Sequence, residues 1–368
     1  MRRFARAGNR VIFVNSISLG LPSLAHKDLL PRIARKLRSY ARYSRVTEEG
    51  IVVVSPPTLP FFGSTISRSI NRVVLSRQIQ RLARQHGLKY PILWIAIPTA
   101  VEMIGRFDES LVIYQVSDKY DANTMDHATD PLEIRRLHER ALAAADIVFY
   151  SGRKLLAEAE SGRERSYLLE QAVDFEHWAR AGNGSLKVPP AMAAIPQPRL
   201  GYFGTIDPWL MDNELIRLAA RLHPQWHWVF IGNRARGVDF ENLPTVHFLP
   251  PVTYEELPSY AAGFDVCVLP WDVENVWTSY GSAIKVREYL ATGKPVVISP
   301  LPEYEAMKDV LRIGRSREEF LALVDDALSE KDETAKSMRK AAVADGTWDV
   351  RAELVSGLIE EALAKQSL

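Results

Sequence analysis

VWTSYGSAIKVREYLATGKPVVIS, residues 276–299, passes from a polar turn through a short helix into a buried strand. Gly293 is placed to end the helix, and Pro295 opens the strand that follows. A nearly all-apolar strand directly after a helix is typical of a parallel sheet covered by helices on both faces. The stretch therefore predicts one helix–strand repeat of a parallel α/β domain.

The same repeat recurs upstream of this stretch. Helical segments at 213–223 and 255–263 separate short apolar runs, and a last helix is predicted at 347–366. The strands predicted in this half are RLGYFG (199–204), WHWVFIG (226–232), TVHFLP (245–250), DVCVLP (265–270) and PVVIS (295–299).

The N-terminal half shows the same alternation, which predicts a second doubly wound α/β domain. Its predicted strands are VIFVN (11–15), IVVVS (51–55), ILWIAI (92–97), LVIYQV (111–116) and DIVFY (146–150). The predicted limits are a first domain at 1–181, a Gly/Pro-rich linker at 182–198, a second domain at 199–346 and a closing helix at 347–368. Ligands bind at the carboxyl ends of the strands in such sheets, so we expect two Rossmann-like domains facing a cleft.

Length and composition agree with a two-domain globular protein. The chain has 368 residues, 47% of them hydrophobic and 25% charged, which fits two domains rather than one core. A single cysteine, Cys267, excludes an internal disulfide framework and indicates a reducing compartment. No apolar run approaches the roughly 18 residues of a membrane span. We therefore expect a cytoplasmic protein without a transmembrane anchor.

The near-neutral total charge hides an asymmetry between the halves. Residues 1–180 carry 27 Lys and Arg against 19 Asp and Glu, a balance of +8, and the remainder carries 19 against 26, a balance of −7. Thirteen basic residues lie between His26 and Lys89 against three acidic ones. A positive field of this kind attracts phosphate-rich partners such as nucleic acid, anionic lipid or a lipid diphosphate.

Lys285 and Glu288 lie three residues apart, so they share a face of the predicted helix. Ser282 is the predicted N-cap, and a cation close to a helix N-terminus opposes the helix dipole. This arrangement suits a cradle for a diphosphate and a ribose diol, whereas the alternative is a solvated ion pair. Gly204 and Thr205 end a strand where backbone N–H groups can approach a phosphate, although Gly204 alone also fits an ordinary turn.

Some classes of site are missing from the sequence. No GxGxxG fingerprint occurs, which counts against a dinucleotide-dependent dehydrogenase. No Asp-x-Asp pair follows a strand and no His/Cys cluster has ligand spacing. We therefore expect a metal-independent protein without a cofactor.

Seven segments, in their order along the chain, resemble those of a known protein family. They are VVVSPPTLPF (52–61), VIYQVSDKYD (112–121), LEQAVDFEHW (169–178), WVFIG (228–232), VHFLPPV (246–252), YEELPSYAAGFDVCVLPW (254–271) and SAIKVREYLATGKPVVIS (282–299). In this order they resemble GT-B glycosyltransferases, specifically the bacterial exopolysaccharide and teichuronic-acid-type subgroup of the family 1-like, Glu-x7-Glu related enzymes. The resemblance covers nearly the whole chain.

The resemblance implies roles for individual residues of the second domain. Glu288 matches the glutamate that holds the nucleotide ribose, and Lys285 matches a lysine expected at the diphosphate. The preceding glutamate of the family pattern falls at Tyr280, a departure that affects how the donor sugar is gripped. The other residues implied in the donor site are Gly204, Thr205, Arg234, Pro251, Val252 and Ser282.

The first domain would supply the acceptor side. Asp118 is the first choice for a general base because it follows the predicted strand 111–116, and a base that deprotonates an acceptor hydroxyl gives an inverting transfer. Asp121 and His127 are rivals, and a carboxylate after a strand also serves as a turn residue. Asn15 and Ser16 would face the acceptor or cap the first turn.

Residues 26–45 place apolar and basic residues at helical spacing. Such a segment fits docking on the inner face of an anionic membrane, as a peripheral protein, or a helix packed on the sheet with a solvated basic face. Aromatic residues are not interleaved with the charge, so nucleic acid is not expected. The sequence predicts a glycosyltransferase that moves a sugar from a nucleotide-diphosphate sugar to a hydroxyl of a lipid-linked glycan. The alternatives are a nucleotide-sugar epimerase of the same fold and a non-catalytic sugar-nucleotide-binding homologue.

Overall fold

The chain forms two compact units in a computed structural model. The structure describes residues 1–15, 44–56, 65–122, 130–159, 164–238, 240 and 242–366. The first unit comprises Met1–Ser151, Leu155–Leu169 and Ala352–Leu368, and the second comprises Gly152–Lys154 and Glu170–Arg351. Contacts thus group residues 170–198 with the second unit, and the domain limits at 181 and 199 stay a prediction.

The described strands of the first unit form two sheets, of three strands in the order β1-β3-β2 and of four in the order β4-β5-β6-β7. All the pairings are parallel except β2 with β3. The predicted strands are confirmed, and the sequence missed β2 and β7. The strands are β1 (Ile12–Val14), β2 (Ser44–Val46), β3 (Val52–Val54), β4 (Ile92–Ile95), β5 (Leu111–Val116), β6 (Ile147–Tyr150) and β7 (Ser166–Leu168).

The second unit contains one parallel sheet with the order β10-β9-β8-β11-β12-β13 among its described residues. The five strands predicted from the sequence are confirmed here too, and β13 is additional. The strands are β8 (Arg199–Phe203), β9 (His227–Ile231), β10 (Val246–Leu249), β11 (Val266–Leu269), β12 (Val296–Ile298) and β13 (Arg312–Ile313).

Helices connect these strands, as a parallel sheet requires. The three helices predicted in the second half and at the C-terminus are present, at Asn213–Leu222, Leu257–Ala261 and Trp348–Gln366. The described helices are α1 (Arg2–Arg6), α2 (Thr65–Gln85), α3 (Pro131–Ala144), α4 (Arg153–Ala157), α5 (Phe175–Ala179), α6 (Pro190–Ala193), α7 (Asn213–Leu222), α8 (Leu257–Ala261), α9 (Ile284–Thr292), α10 (Arg317–Ser329), α11 (Glu333–Ala344) and α12 (Trp348–Gln366).

The apolar strands lie in the cores of their units. In the first unit, Val355 of α12 joins a buried cluster with Ile113 of β5 and Phe149 of β6, so the closing helix packs on that sheet. In the second unit, Cys267 lies in β11 with no exposed surface, and burial raises the pKa of its thiol to about 12. The cysteine is therefore a core residue, as predicted.

Among the described residues, no helix is both long enough and apolar enough to cross a membrane.

Candidate functional site

Two glycines end neighbouring strands of the second unit. Gly204 follows β8 with φ +132°, and its N–H donates to the carbonyl of Ile231 over 2.9 Å. Gly232 follows β9 with φ +145°, and a Cβ there would lie 2.0 Å from the Gly204 carbonyl oxygen. Both positions require glycine, because the backbone is left-handed and the strand ends touch. The turn after β8 therefore presents bare backbone, followed by the exposed Thr205.

Lys285 lies directly beside this turn. Its Nζ would be 2.5 Å from a Cβ built on Gly204, and it donates to Tyr202 Oη over 3.0 Å. The same ammonium lies 4.4 Å from the ring centroid of Tyr202 and 5.1 Å from that of Trp271. The cation is thus held by a hydroxyl and two aromatic faces at the carboxyl end of the sheet, which fits the diphosphate contact predicted for it.

The start of helix α9 differs from the prediction. Its N-cap is Ala283, which is extended and makes no side-chain cap hydrogen bond, so the N-cap role of Ser282 was wrong. The reason is packing, because Ala283 is buried at 6% exposure in the core cluster and the helix starts only after it. The first-turn N–H groups of α9 consequently have no capping side chain. At the other end, Gly293 is left-handed with φ +78°, as predicted.

Glu288 is buried, with 4% of its surface exposed. Burial raises the pKa of its carboxyl to about 7, and the Lys285 ammonium, the Trp178 indole N–H and the Tyr254 hydroxyl act in the opposite direction. A carboxylate removed from water and facing several donors is an acceptor that needs further hydrogen bonds. This environment suits the predicted contact with ribose hydroxyls.

An aromatic wall stands beside Glu288. The Trp178 indole N–H donates to Tyr254 Oη over 2.9 Å, and the His177 ring stacks on the Tyr254 ring at 4.9 Å. Tyr254 follows Pro251 and Val252, of which Val252 packs against the core and Pro251 is exposed. Through Tyr254, the loop at Pro251 and Val252, predicted beside the nucleobase, contacts Glu288, the carboxylate predicted at the ribose.

Tyr280 stands where the family pattern has a glutamate, and the ammonium of Lys154 lies over its ring. Lys154 Nζ lies 3.9 Å from the centroid of that ring and donates to Ser279 Oγ over 3.1 Å. Arg234, the other predicted phosphate contact, is exposed beyond β9, with its guanidinium 4.7 Å from the Phe248 ring centroid. Neither residue touches Lys285 or Glu288 in the contacts described above.

The acceptor-side residues belong to the first unit. Asp118 follows β5, and burial raises the pKa of its carboxyl, which is the shift that a general base at neutral pH needs. Its rival Asp121 forms an ion pair with Arg135 at 3.0 Å. The choice of Asp118 over Asp121 stays a prediction.

Asn15 lies at the end of β1, where its Nδ2 donates to Ser55 Oγ over 2.6 Å. The side chain thus connects the ends of the neighbouring strands β1 and β3, and its predicted place beside the acceptor stays a prediction. Ser16, His127 and residues 26–43 of the predicted basic segment 26–45 lie outside the described residues. Within the described ranges, no group of three or more His, Cys, Asp or Glu side chains could hold a metal ion.

Sequence reasoning missed the aromatic residues around the site: Tyr202, Trp271, Trp178 and Tyr254. The Tyr202 contact with Lys285 spans 83 residues, so no local pattern marks it. Only Trp271 could have been identified from the sequence, because it directly follows the predicted strand 265–270.

Part of the second unit matches a known family. Residues 197–338 match the family model described as Glycosyl transferases group 1. This segment is therefore similar to the group 1 glycosyl transferases. It contains Gly204, Lys285 and Glu288, and the protein is a glycosyltransferase.

One curated relative and several solved structures are similar to a larger part of the chain. TuaH of Bacillus subtilis (strain 168), named for teichuronic acid biosynthesis, is 27% identical over 280 residues, which are 70% of this chain and 68% of TuaH. Sucrose-phosphate synthase from Thermosynechococcus elongatus superposes with a TM-score of 0.68 at 13% identity, over 97% of this chain and all of that one. HepE from Anabaena, solved with UDP and glucose, gives 0.64 at 14% identity over 95% and 99% of the chains. The glycosyltransferase therefore has the GT-B fold.

Proposed function

We propose that this glycosyltransferase moves a sugar from a nucleotide-diphosphate sugar to a hydroxyl group of a lipid-linked glycan intermediate. The observation that carries the donor half is the Lys285 ammonium beside the bare turn at Gly204. A fixed cation at the start of a helix whose first turn has no capping side chain is complementary to a diphosphate. HepE, a neighbour of this fold, was solved with UDP and glucose, so uridine diphosphate is the nucleotide to try first.

The donor would lie along the carboxyl ends of β8 and β9. Its diphosphate would contact Lys285, the uncapped first turn of α9 and the Gly204–Thr205 backbone, with Arg234 and Ser282 as outer contacts. Its ribose hydroxyls would donate to Glu288, and its base would lie against Pro251 and Val252. Charge on the leaving nucleoside diphosphate would then be stabilised by Lys285 and amide dipoles without a metal ion.

Asp118 would act as the general base in an inverting transfer. Its carboxylate takes the proton of the acceptor hydroxyl while the hydroxyl oxygen attacks the anomeric carbon. The bond from that carbon to the diphosphate oxygen breaks, and the nucleoside diphosphate leaves with the bonding electrons. The raised pKa of Asp118 supports this role, because the group holds a proton more readily than an exposed aspartate.

The acceptor part of the proposed function is supported by the exposed surface of helix α2. Ile70, Val73 and Val74 are exposed apolar residues, and Arg77, Arg81 and Arg84 continue the same exposed helix face. Apolar side chains followed by cations suit a peripheral contact with an anionic membrane, where a lipid-linked acceptor would be found. The name of TuaH points to the same kind of polymer.

Vesicle flotation tests the membrane contact. Wild-type protein should float with vesicles of anionic lipid at low salt and not with neutral vesicles. The triple charge reversal R77E/R81E/R84E should abolish flotation, whereas reversal of the half-exposed Arg217 and the exposed Arg221 of the second unit should not. Equal flotation of both variants would remove α2 from the membrane contact.

A thermal-shift screen over nucleoside diphosphates tests the donor half, because a ligand that binds only the folded protein raises its melting temperature. At least one of them should stabilise the wild-type protein, and Lys285→Ala should lose that shift. Lys308→Ala, an exposed lysine of the same unit, is the matched control. Conversion of the sugar donor into its epimer, without transfer, would instead support the epimerase alternative.

A further inference from the structure

Tyr202 lies beneath the proposed diphosphate site and has no solvent-exposed surface. It belongs to β8 and is fully buried. Its hydroxyl donates to the Thr205 carbonyl over 2.8 Å and accepts from Lys285 Nζ over 3.0 Å. It also accepts from the Trp271 indole N–H over 3.4 Å. One phenol thus connects the strand-end turn, the cation of α9 and the residue after β11.

These three contacts use the full capacity of the hydroxyl, which has one donor and two acceptor sites. A hydroxyl without a spare site cannot rotate to another partner without leaving a buried group unpaired. The Thr205 carbonyl and the Lys285 ammonium are therefore held at fixed positions relative to each other. Because β8 is a central strand of the sheet, this fixed point lies on a rigid element.

The surroundings of Lys285 leave its charge available. In the described part of the chain, no carboxylate oxygen forms an ion pair with Lys285 Nζ, whose close contacts are the Tyr202 hydroxyl and two aromatic faces. Such contacts orient an ammonium and stabilise it without neutralising its charge. A phosphate would therefore meet an ammonium group that is already oriented.

We propose that Tyr202 is the positioning residue that aims Lys285 and the Gly204–Thr205 turn at the donor diphosphate. This inference rests on the proposed function. Lys285 would otherwise sample many rotamers, and ordering a long flexible side chain on binding lowers affinity. Tyr202 removes that cost before the donor arrives, although it never touches the donor itself.

Tyr202→Phe tests the proposal, since it keeps the ring and removes only the hydroxyl. The probes are uridine, guanosine and adenosine diphosphates, each beside its own nucleoside, measured by calorimetry. Tyr202→Phe should weaken the diphosphate that binds by roughly ten- to a hundredfold and leave the affinity for its nucleoside unchanged. Tyr114→Phe is the matched control, because Tyr114 is equally buried and its hydroxyl contacts His138 in the first unit.

A double-mutant cycle provides the second measurement. Because Tyr202 holds the Thr205 carbonyl as well as Lys285, Tyr202→Phe should cost less diphosphate affinity in the K285M background than in the wild-type protein. Additive losses, or an equal loss of nucleoside affinity in Tyr202→Phe, would overturn the proposal and leave Tyr202 with a structural role. If K285M binds the diphosphate as well as wild type, the proposed donor site fails as well.

Discussion

At the scale of single residues, the charged side chains of the candidate site could be found from the sequence, whereas the side chains that contact them could not. Spacing along a helix was enough to single out Lys285 and Glu288 from the sequence. It did not reveal that Glu288 is buried or that Lys285 rests on Tyr202, because both facts depend on contacts between distant strands. Charged residues at strand and helix ends can be found locally, whereas the aromatic residues that hold them require the folded sheet.

The buried carboxyl of Glu288 predicts a pH-dependent stability. Its pKa rises from 4.5 to about 7 on folding, so its contribution is fully present below pH 4.5 and is lost as the pH rises through 7. Glu288→Gln stays neutral. The variant should therefore gain stability relative to wild type between pH 5 and 8, on the order of 3 kcal/mol at 1.4 kcal/mol per pKa unit. Urea unfolding of both proteins at the two pH values measures this, and parallel pH profiles would contradict it.

The base role of Asp118 predicts a loss confined to turnover. Asp118→Asn should lower the transfer rate by at least about a hundredfold, the usual contribution of general base catalysis, with unchanged nucleotide affinity. Asp121→Asn is the matched control because that carboxylate is bound by Arg135. Transfer assays with a radiolabelled sugar donor decide between them. A large loss in the Asp121 variant alone would assign the base there.

At the scale of elements, the parallel strands were predictable and their ends were less so. Continuous apolar runs located ten strands, and most of these strands are buried on both faces. The strands β2, β7 and β13 were missed because none of them contains a run of buried apolar residues: β2 is wholly exposed, β7 is half-buried and β13 has only two residues. The start of α9 was misplaced because burial of Ala283 outweighed the capping preference of Ser282.

The contact between β8 and β9 predicts that Gly232 tolerates no side chain. Gly232→Ala should lower the free energy of unfolding by at least about 2 kcal/mol, from left-handed strain and the 2.0 Å approach to the Gly204 carbonyl. Gly237→Ala separates the two causes, since Gly237 has φ +81° but open space around it. Denaturant unfolding of both variants should show the larger loss at Gly232; equal losses would mean that only the backbone angle matters.

At the scale of the whole molecule, composition predicted two units, and the paths of the chain between them were harder to foresee. The polypeptide enters the second unit briefly at Gly152–Lys154 before the main crossing at Glu170. No composition change marks the first crossing, since it depends on where Arg153 and Lys154 find partners. Arg153 binds Glu170, and its N–H donates to Glu303.

The proposed donor site predicts that a nucleotide protects only the second unit from exchange with solvent deuterium. Amides in residues 199–206 and 284–292 should exchange more slowly with a bound nucleoside diphosphate, because binding stabilises the unit that holds the ligand. Amides of β4 to β6 should exchange at the same rate with and without it. Mass spectrometry of peptides reads both regions in one experiment, and protection centred on the first unit would contradict the donor assignment.

Cys267 gives the molecule a reporter of its own opening. Its thiol is sealed in β11 and its pKa is raised to about 12, so a thiol reagent reacts only with chains whose second unit has opened. The chain contains no other cysteine to confuse the signal. The rate of labelling with an excess of reagent therefore measures how fast the second unit opens in the wild-type protein. A bound nucleotide should lower that rate.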